Sequence, residues 1–478
     1  MSSMNHPIRR VALVAAMMFF ALLANLSYSA VFRDASLDAD ARNRRTRDAE
    51  FAMERGAILV GSTPIAQTKA SKGRFNYTRE YSEGPLYAAA TGYYSYDFAR
   101  AGLESSYNTQ LSGTDDSQAF GRLMDTVTGK KPAGASLQTT LDAKAQRAAS
   151  QALGTRKGAV VAIDYRTGAV KALVSKPSYD PNELATTDLA AAQQAWRKLN
   201  ADPGRPLVNR ATKETYPPGS TFKLVTAAAA LEDGRTADST VASPASMTLP
   251  QTSTKLSNEV DCGGATSTID HALQVSCNTA FANLGMELGA DKVREQAEKF
   301  GFDSSLEGDL NPATSRFPAS PDKPQTAMSA IGQFDVAATP LQMAVVAAGI
   351  ANDGQVMQPY LVQEVRNPDL SVLTSNDARE LERAMDTDNA RALKQMMVNV
   401  VTNGTGTAAR VGGITVGGKT GTAQWDLKKN PYAWFVGFAE EPHVAIAVFI
   451  EDAQVSRSDI AGGRLAGPVF AAVVESMR

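Results

Sequence analysis

The sequence predicts an α+β fold: one antiparallel sheet beside a helical lobe, preceded by a membrane-spanning helix and a small strand-rich module. Three observations carry that expectation. Residues 11–32, VALVAAMMFFALLANLSYSAVF, hold no charged side chain, and an uncharged run of that length can cross a bilayer as a helix. After Ser136, strand-like runs open and close a long, mostly helical stretch, and strands segregated from helices mark an α+β domain. Residues 51–112 break instead into short apolar runs between glycines and prolines, the pattern of short strands and turns.

The composition narrows the chemistry. A chain of 478 residues suffices for two or three domains. Its 48 basic and 50 acidic residues give a formal charge of −2, without the basic footprint that nucleic acid binding leaves. The only histidines are His6, His271 and His443, and with two cysteines they form no cluster of metal-ligand spacing. No metal or cofactor is expected, and a serine nucleophile here would not rely on a histidine base.

Taken in order, residues 1–10 read as a cytoplasmic tail and 11–32 as the transmembrane anchor. A cleaved signal peptide is the competing reading, with Ser27-Tyr28-Ser29 or Tyr28-Ser29-Ala30 as a weak small-residue site. The apolar run exceeds the roughly 7–15 residues of a signal h-region, which favours the anchor. Arginines flank the run on both sides, so charge does not orient it. Residues 33–50 suit a stalk or an entering helix. Residues 33–135 as a whole form a pedestal and linker, and seven of the chain's thirteen tyrosines fall within 51–112: Tyr77, Tyr81, Tyr87, Tyr93, Tyr94, Tyr96 and Tyr107. They suit either a partner surface or, the favoured reading, aromatic packing inside the module.

The main domain, 136–478, opens with LQTTLDAKAQRAASQAL at helical spacing and then GAVVAIDYRTGAVKALVS, two β-rich runs about an Arg-Thr-Gly turn. TFKLVTAAAALEDG and PLQMAVVAAGIANDG read as helices ending at glycines. ITVGGKTGTAQW, YAWFVGFA and HVAIAVFIEDA read as strands, and GPVFAAVVESM as a final helix. The first hairpin and these last strands would close one sheet, with chemistry in the cleft beside the helical lobe.

Within YPPGSTFK, Ser220 and Lys223 lie one turn apart at an expected helix start, where Ser is also a favoured N-cap. The run SPDK repeats the spacing at Ser320 and Lys323, but Pro324 follows it, so it reads as a turn. A serine hydroxyl needs a neighbour to take its proton, and a lysine desolvated near a second cation is a plausible base. Lys419, in VGGKTGTA, would supply that second charge. Alternation along a strand sends Lys419 and Gly421 to one face, with Thr420 and Thr422 to the other. Glycines 417, 418 and 421 would leave the strand edge bare for an extended peptide. Ser276-Cys277-Asn278 is the least specific element, since Ser106-Tyr107-Asn108 also fits S-x-N.

In this order, S-x-x-K, S-x-N and K-T-G resemble the signature of penicillin-binding proteins and serine β-lactamases. Ser276 follows Ser220 by 56 residues and Lys419 follows Ser276 by 143, which suits the penicillin-binding, transpeptidase form of the domain. NRATKETYPPGSTFK, SKPSYDPN, IGQFDVAATPLQMAVVAAGIANDGQVMQPYLV and TNGTGTAA are similar to family segments. ERGAILVGSTPIA resembles the motif that opens the pedestal of class B members, and GPLYAAATGYYS resembles the penicillin-binding protein A branch.

The resemblance implies D,D-transpeptidation through a serine acyl-enzyme. Ser220 would be the nucleophile, Lys223 its proton acceptor, Ser276 a proton relay and Asn278 a holder of substrate backbone. Lys419 and Thr420 would bind the donor carboxylate, with Gly421 and Thr422 beside them, and the N–H groups of Ser220 and Thr422 would form the oxyanion hole. The implied partners are peptidoglycan stem peptides, lipid-linked nascent glycan, β-lactam antibiotics, a membrane glycan polymerase, and elongation or divisome proteins. Residues 33–135 are too few for a glycosyltransferase domain. The implied location is the cell membrane, single-pass, with the catalytic domain extracytoplasmic. A β-lactamase or a D,D-carboxypeptidase, each using water as acceptor, remains the alternative; a β-lactam sensor would need an output domain that the short tail does not accommodate. Two cysteines in an exported domain are a disulfide candidate, so a Cys262–Cys277 bond pinning the S-x-N segment is expected. An extended S-x-N would point Cys277 away from the cleft, and His271 is expected nearby in a structural role.

Overall fold

Strands as apolar as VAIAVFI are stable only where both faces of their sheet are covered, and the fold supplies two covers. The computed structural model describes residues 5–32, 44–71, 75–119, 121, 127–129, 133–306, 308–423 and 430–478. The chain divides into two compact units, Met1–Met53 with Ala70–Tyr77, and Glu54–Lys69 with Thr78–Arg478.

The first unit contains α1 (Asn5–Phe32) and α2 (Arg44–Ala52). From His6 to Ser29, α1 has a mean hydropathy of 2.0. It is long and apolar enough to span a membrane, and Phe19 and Phe20 are exposed along it. Most of the expected stalk, residues 33–43, lies outside the described residues.

The second unit takes in β1 (Ile58–Val60) and all but one terminal residue each of β2 (Thr63–Ala70) and β3 (Tyr77–Tyr81). Tyr81, Tyr87, Tyr93, Tyr94 and Tyr96 are buried, so these tyrosines pack the module. Glu104 is fully buried there between two cations, 2.6 Å from Arg55 Nε and 2.7 Å from Arg79 Nε, and accepts from the Tyr81 hydroxyl at 3.1 Å. A buried carboxylate needs such pairing. The linker expected between Ser112 and Ala135 falls partly outside the described residues.

The helix expected from Leu137 begins later. Ser136–Thr139 is β4, parallel to β1 (Ile58 opposite Leu137) and antiparallel to a later strand. Helix α3 (Ala143–Leu153) starts where the Asp142 carboxylate accepts the N–H groups of Lys144 and Ala145, both at 2.8 Å. A good N-cap fixes that start, leaving Leu137 to the sheet.

The hairpin β5 (Lys157–Asp164) and β6 (Val170–Lys176) follows, then α4 (Lys223–Glu232), β7 (Lys255–Ser257), α5 (Ile269–Gln274) and α6 (Asn278–Leu288). Helix α7 (Lys323–Ser329) corrects the reading of SPDK as a plain turn: a helix begins at Lys323. Proline is tolerated in the first turn, where its missing N–H has no partner to lose. Asp322 and Gln325 form a reciprocal capping box there. Ser320 lies outside that helix, so no one-turn Ser–Lys pair results.

Next come α8 (Pro340–Ala351), β8 (Val362–Arg366), β9 (Val372–Ser375), α9 (Thr387–Asn403), β10 (Val416–Ala423), β11 (Tyr432–Ala439), β12 (Val444–Asp452) and α10 (Gly462–Ser476). Helices α4 and α8 are followed by Gly234 and Gly354, both at positive φ. One sheet runs β9-β8-β4-β1-β2-β3. A second, five-stranded sheet runs β10-β11-β12-β5-β6, every neighbouring pair antiparallel. The first hairpin and the last three strands thus form one sheet, as expected. Alternate residues serve opposite cores. Val160, Val448 and Phe435 pack with Ala149 of α3 and Phe470 of α10, whereas Val161, Ala447 and Trp434 join the larger core with Leu224 and Val346. Strand β10 is the sheet edge, beside the helical lobe.

Candidate active site

Ser220 is placed by the backbone that leads into it. Tyr216 and Ala338 exchange N–H···O bonds at 2.9 Å, and the Gly219 N–H donates to Gly332 O at 2.9 Å. The Trp434 indole donates to Pro217 O at 3.1 Å, while Phe449 lies against both the Tyr216 ring (4.1 Å) and Trp434 (4.5 Å). Gly219 has φ +54°, and a Cβ on it would come within 2.9 Å of Ala423 Cβ on β10. Only glycine supplies that conformation and that approach without strain. Ser220 is not an N-cap, contrary to the reading from YPPGSTFK. The proline pair and Gly219 first turn the chain through a 3₁₀ segment, Gly219–Phe222, and α4 begins only at Lys223, without a side-chain cap.

Two lysines are buried beneath this turn. Lys223 and Lys419 both have 0% relative exposure. Lys223 Nζ donates to Ser276 O at 2.8 Å and Asn278 Oδ1 at 2.7 Å, and Ser276 Oγ is 3.4 Å away. Lys419 Nζ donates to Ser276 Oγ at 2.7 Å and to Thr420 O at 3.0 Å. Burial, and then the neighbouring Lys419, push the Lys223 amine well below its ordinary value, against the field of Glu259. Burial pulls Lys419 down to about 7, again opposed by Glu259. A neutral Lys223 has two N–H bonds, and Ser276 O and Asn278 Oδ1 can absorb both. Its lone pair is then left to accept a proton.

Ser276 stands at a corner between α5 and α6, with φ +65°, an uncommon conformation for a residue with a Cβ. The S-x-N segment is therefore not extended, as the sequence suggested. It is a helix-to-helix reversal, held by Cys277 N–H to Ala272 O at 2.8 Å. That reversal presents Ser276 to both lysines and buries Cys277 on the other side, where it is bonded to Cys262 with Cα atoms 5.8 Å apart. Next to the bridge, His271 Nδ1 pairs with Gln274 Oε1 at 3.1 Å. His443 pairs with the Tyr165 hydroxyl at 2.9 Å. His6 is in α1, and the described residues hold no cluster suited to a metal ion.

Strand β10 forms one wall of a cleft of about 1020 Å³, lined among others by Ser220, Ser276, Asn278, Thr420 and Thr422. The Thr420 hydroxyl is 2.7 Å from that of Thr405. Lys419 and Gly421 turn to the opposite face, as alternation required. The glycines do not leave the edge bare, however. A Cβ on Gly417 or Gly418 would meet the Phe438 or Phe435 ring at 2.4 Å, and one on Gly421 would meet Thr221 Cγ2 at 2.9 Å. These glycines are sites of close packing, and the openness of β10 comes from its place at the sheet edge.

Three participants escaped the sequence reading. Thr405 lies within TNGTGTAA, a segment that carried no assigned role. Glu259 lines the cleft, and Gly462, at the start of α10, lies so close to β10 that a Cβ would fall 2.3 Å from Gly421 O. The single signal available was glycine spacing in AGGRLAG.

Residues 158–475 match the penicillin binding protein transpeptidase domain, and residues 55–137 match the penicillin binding protein A dimerisation domain. The chain is 41% identical to peptidoglycan D,D-transpeptidase PbpA of Mycolicibacterium smegmatis, covering 98% of each chain. It is 38% identical to the protein of the same name from Mycobacterium tuberculosis, covering 99% of each. The solved ceftriaxone acyl-enzyme of M. tuberculosis penicillin-binding protein A superposes with a TM-score of 0.86 at 38% identity, over 90% of this chain and 99% of that one. Its penicillin G acyl-enzyme gives 0.84 at 38% identity, over 89% and 99%. The chain belongs to the penicillin-binding proteins, as a class B member with a dimerisation domain and a transpeptidase domain.

Proposed function

We propose that this chain is a peptidoglycan D,D-transpeptidase that cross-links stem peptides and is inhibited covalently by β-lactams. One observation carries the reading: two buried lysines converge on Ser276 in the cleft that Ser220 lines. The similarity to PbpA proteins supports it.

In this reading the Ser220 hydroxyl gives its proton to neutral Lys223 while Oγ attacks the carbonyl of the penultimate D-alanine. The oxyanion lies between the N–H groups of Ser220 and Thr422. The proton passes from Lys223 through Ser276 to the departing D-alanine nitrogen as the peptide C–N bond breaks. Asn278 holds the donor backbone. Thr420 and Thr422 receive the donor carboxylate, and Lys419 supplies positive field from beneath while it orients Ser276. An amine of a neighbouring stem then attacks the ester carbon. The new C–N bond forms as the C–Oγ bond breaks, and the amine's surplus proton returns to Ser220 through the same relay.

Helix α1 anchors the chain in the cell membrane with the catalytic domain on the extracytoplasmic side, where lipid-linked nascent glycan is available. Residues 33–135 serve as pedestal and linker to the transpeptidase domain, 136–478, and offer a surface to a membrane glycan polymerase and its elongation or divisome partners. The test is reconstitution of the full chain in detergent with a glycan polymerase and its lipid-linked substrate. Cross-linked stems with matching D-alanine release are expected. D-Alanine release without cross-links would identify a carboxypeptidase instead.

A further inference from the structure

The segment that carries Glu259 is tied at both ends to the corner that carries Ser276. On one side the Asn278 amide donates to Ser257 O at 3.2 Å. Asn258 Oδ1 accepts the Thr279 N–H at 2.9 Å, and Asn258 Nδ2 donates to Thr279 Oγ1 at 2.9 Å. On the other side Cys262 is bonded to Cys277. Glu259 is thus held on a short bridge, both ends of which are fastened to Cys277–Thr279. It is exposed, lines the same cleft as Ser220 and Asn278, and no hydrogen bond or ion pair among the described residues engages its carboxylate. Its charge reaches the reaction centre, since it holds up both buried lysines against desolvation.

Glu259 is also the sole acid among the described residues that line the cleft, where Lys255, Arg457 and Arg464 supply the cations. Arg464 lies 3.7 Å from Asp459, and a positively charged group finds no other acidic side chain among the described residues that line the cleft. Yet the second substrate of a transpeptidase is a primary amine, which is an ammonium at neutral pH when its pKa is near that of lysine, about 10.4. On the transpeptidase reading, we propose that Glu259 receives the ammonium of the acceptor stem and so favours amine over water as the group that resolves the acyl-enzyme. The bound ammonium loses one proton to solvent before its nitrogen attacks, and the second proton leaves through the relay to Ser220. Attraction between exposed charges is modest in water but rises in a walled cleft. The expected preference is therefore a matter of several-fold to tenfold, not of orders of magnitude.

The test is the partition of the acyl-enzyme between aminolysis and hydrolysis, using full chain in detergent, acylated by a thioester donor. The acceptors are Nα-acetyl-lysinamide, cationic at the assay pH, and hydroxylamine, which is uncharged there. Because the ratio is taken on molecules already acylated, an effect on acylation drops out. Glu259→Gln is expected to raise the half-saturating concentration of the cationic acceptor about three- to tenfold more than that of hydroxylamine, which shares only the effect on the lysines, with Glu259→Asp restoring part of the difference. An equal change for both acceptors would assign Glu259 to general tuning of the lysines and overturn the proposal, as would no change for either. Absence of aminolysis in the wild-type chain would instead sink the transpeptidase reading itself.

Discussion

Lys419 Nζ donates to Ser276 Oγ at 2.7 Å, across 143 residues of sequence, with its side chain wholly out of solvent. The last strand of the site is thereby joined to the corner between α5 and α6, and Ser276 is given a fixed direction. A buried lysine is costly to ionise, so this contact has consequences for both stability and rate.

The stability consequence depends on pH. Lys419 titrates at about 7 in the folded chain, against about 10.4 when unfolded. Between those values the unfolded chain binds a proton that the folded chain does not, so this group's contribution to stability rises with pH across the window. Below about 7 the cost is present in full. Lys419→Met removes that cost, so the variant is expected to be more stable than wild type below about pH 7. The gap should close as pH approaches about 10. Denaturation of the full chain in detergent across this range measures it, and a gap independent of pH would contradict the assignment. Acylation should fall at least ~100-fold, on the scale of losing one preorganised charged group from an active site.

The approach to Ser220 rests on Gly332, whose φ is +71° and whose carbonyl receives the Gly219 N–H. A Cβ there would lie 2.2 Å from Gly219 O and 2.8 Å from Phe222 Cβ. Gly332→Ala should therefore displace the 3₁₀ turn, slowing acylation by a chromogenic cephalosporin at least ~10-fold and costing about 1–3 kcal/mol of stability. Stopped-flow acylation at wild-type speed would show that the turn is not what aligns Ser220.

Far along the chain, Glu104 is the sole carboxylate that Arg55 and Arg79 meet at ion-pair distance among the described residues. Glu104→Gln keeps the shape and leaves two buried cations uncompensated, a loss of about 3–5 kcal/mol. Calorimetry should show a clearly lowered melting temperature, and an unchanged one would mean that water reaches the arginines.

The order of strands and helices was legible because alternating and continuous apolar runs report burial directly. The sheet closed by its first and last strands followed from those runs alone. Ser220, Lys223, Ser276, Asn278, Lys419, Thr420 and Thr422 do converge around one cleft. Illegible were the features set by tertiary contact. Leu137 joined a sheet because strands near it in space, not in sequence, needed a partner. Ser276 took a left-handed corner because two helices had to reverse around it. Glycines 417, 418 and 421 look open in a linear pattern, and only the rings and turn packed on them show otherwise. Glu259 is one of many glutamates until its bridge is closed.

On the proposed mechanism Ser220 is the nucleophile, and its setting, not its spacing to a lysine, makes it one. Intact mass spectrometry of the full chain after penicillin treatment tests this most directly. A stable covalent adduct is expected in wild type and in Ser320→Ala, and none in Ser220→Ala. An adduct that persists in Ser220→Ala would contradict that mechanism; rapid loss of the adduct from wild type through hydrolysis would instead favour the β-lactamase reading.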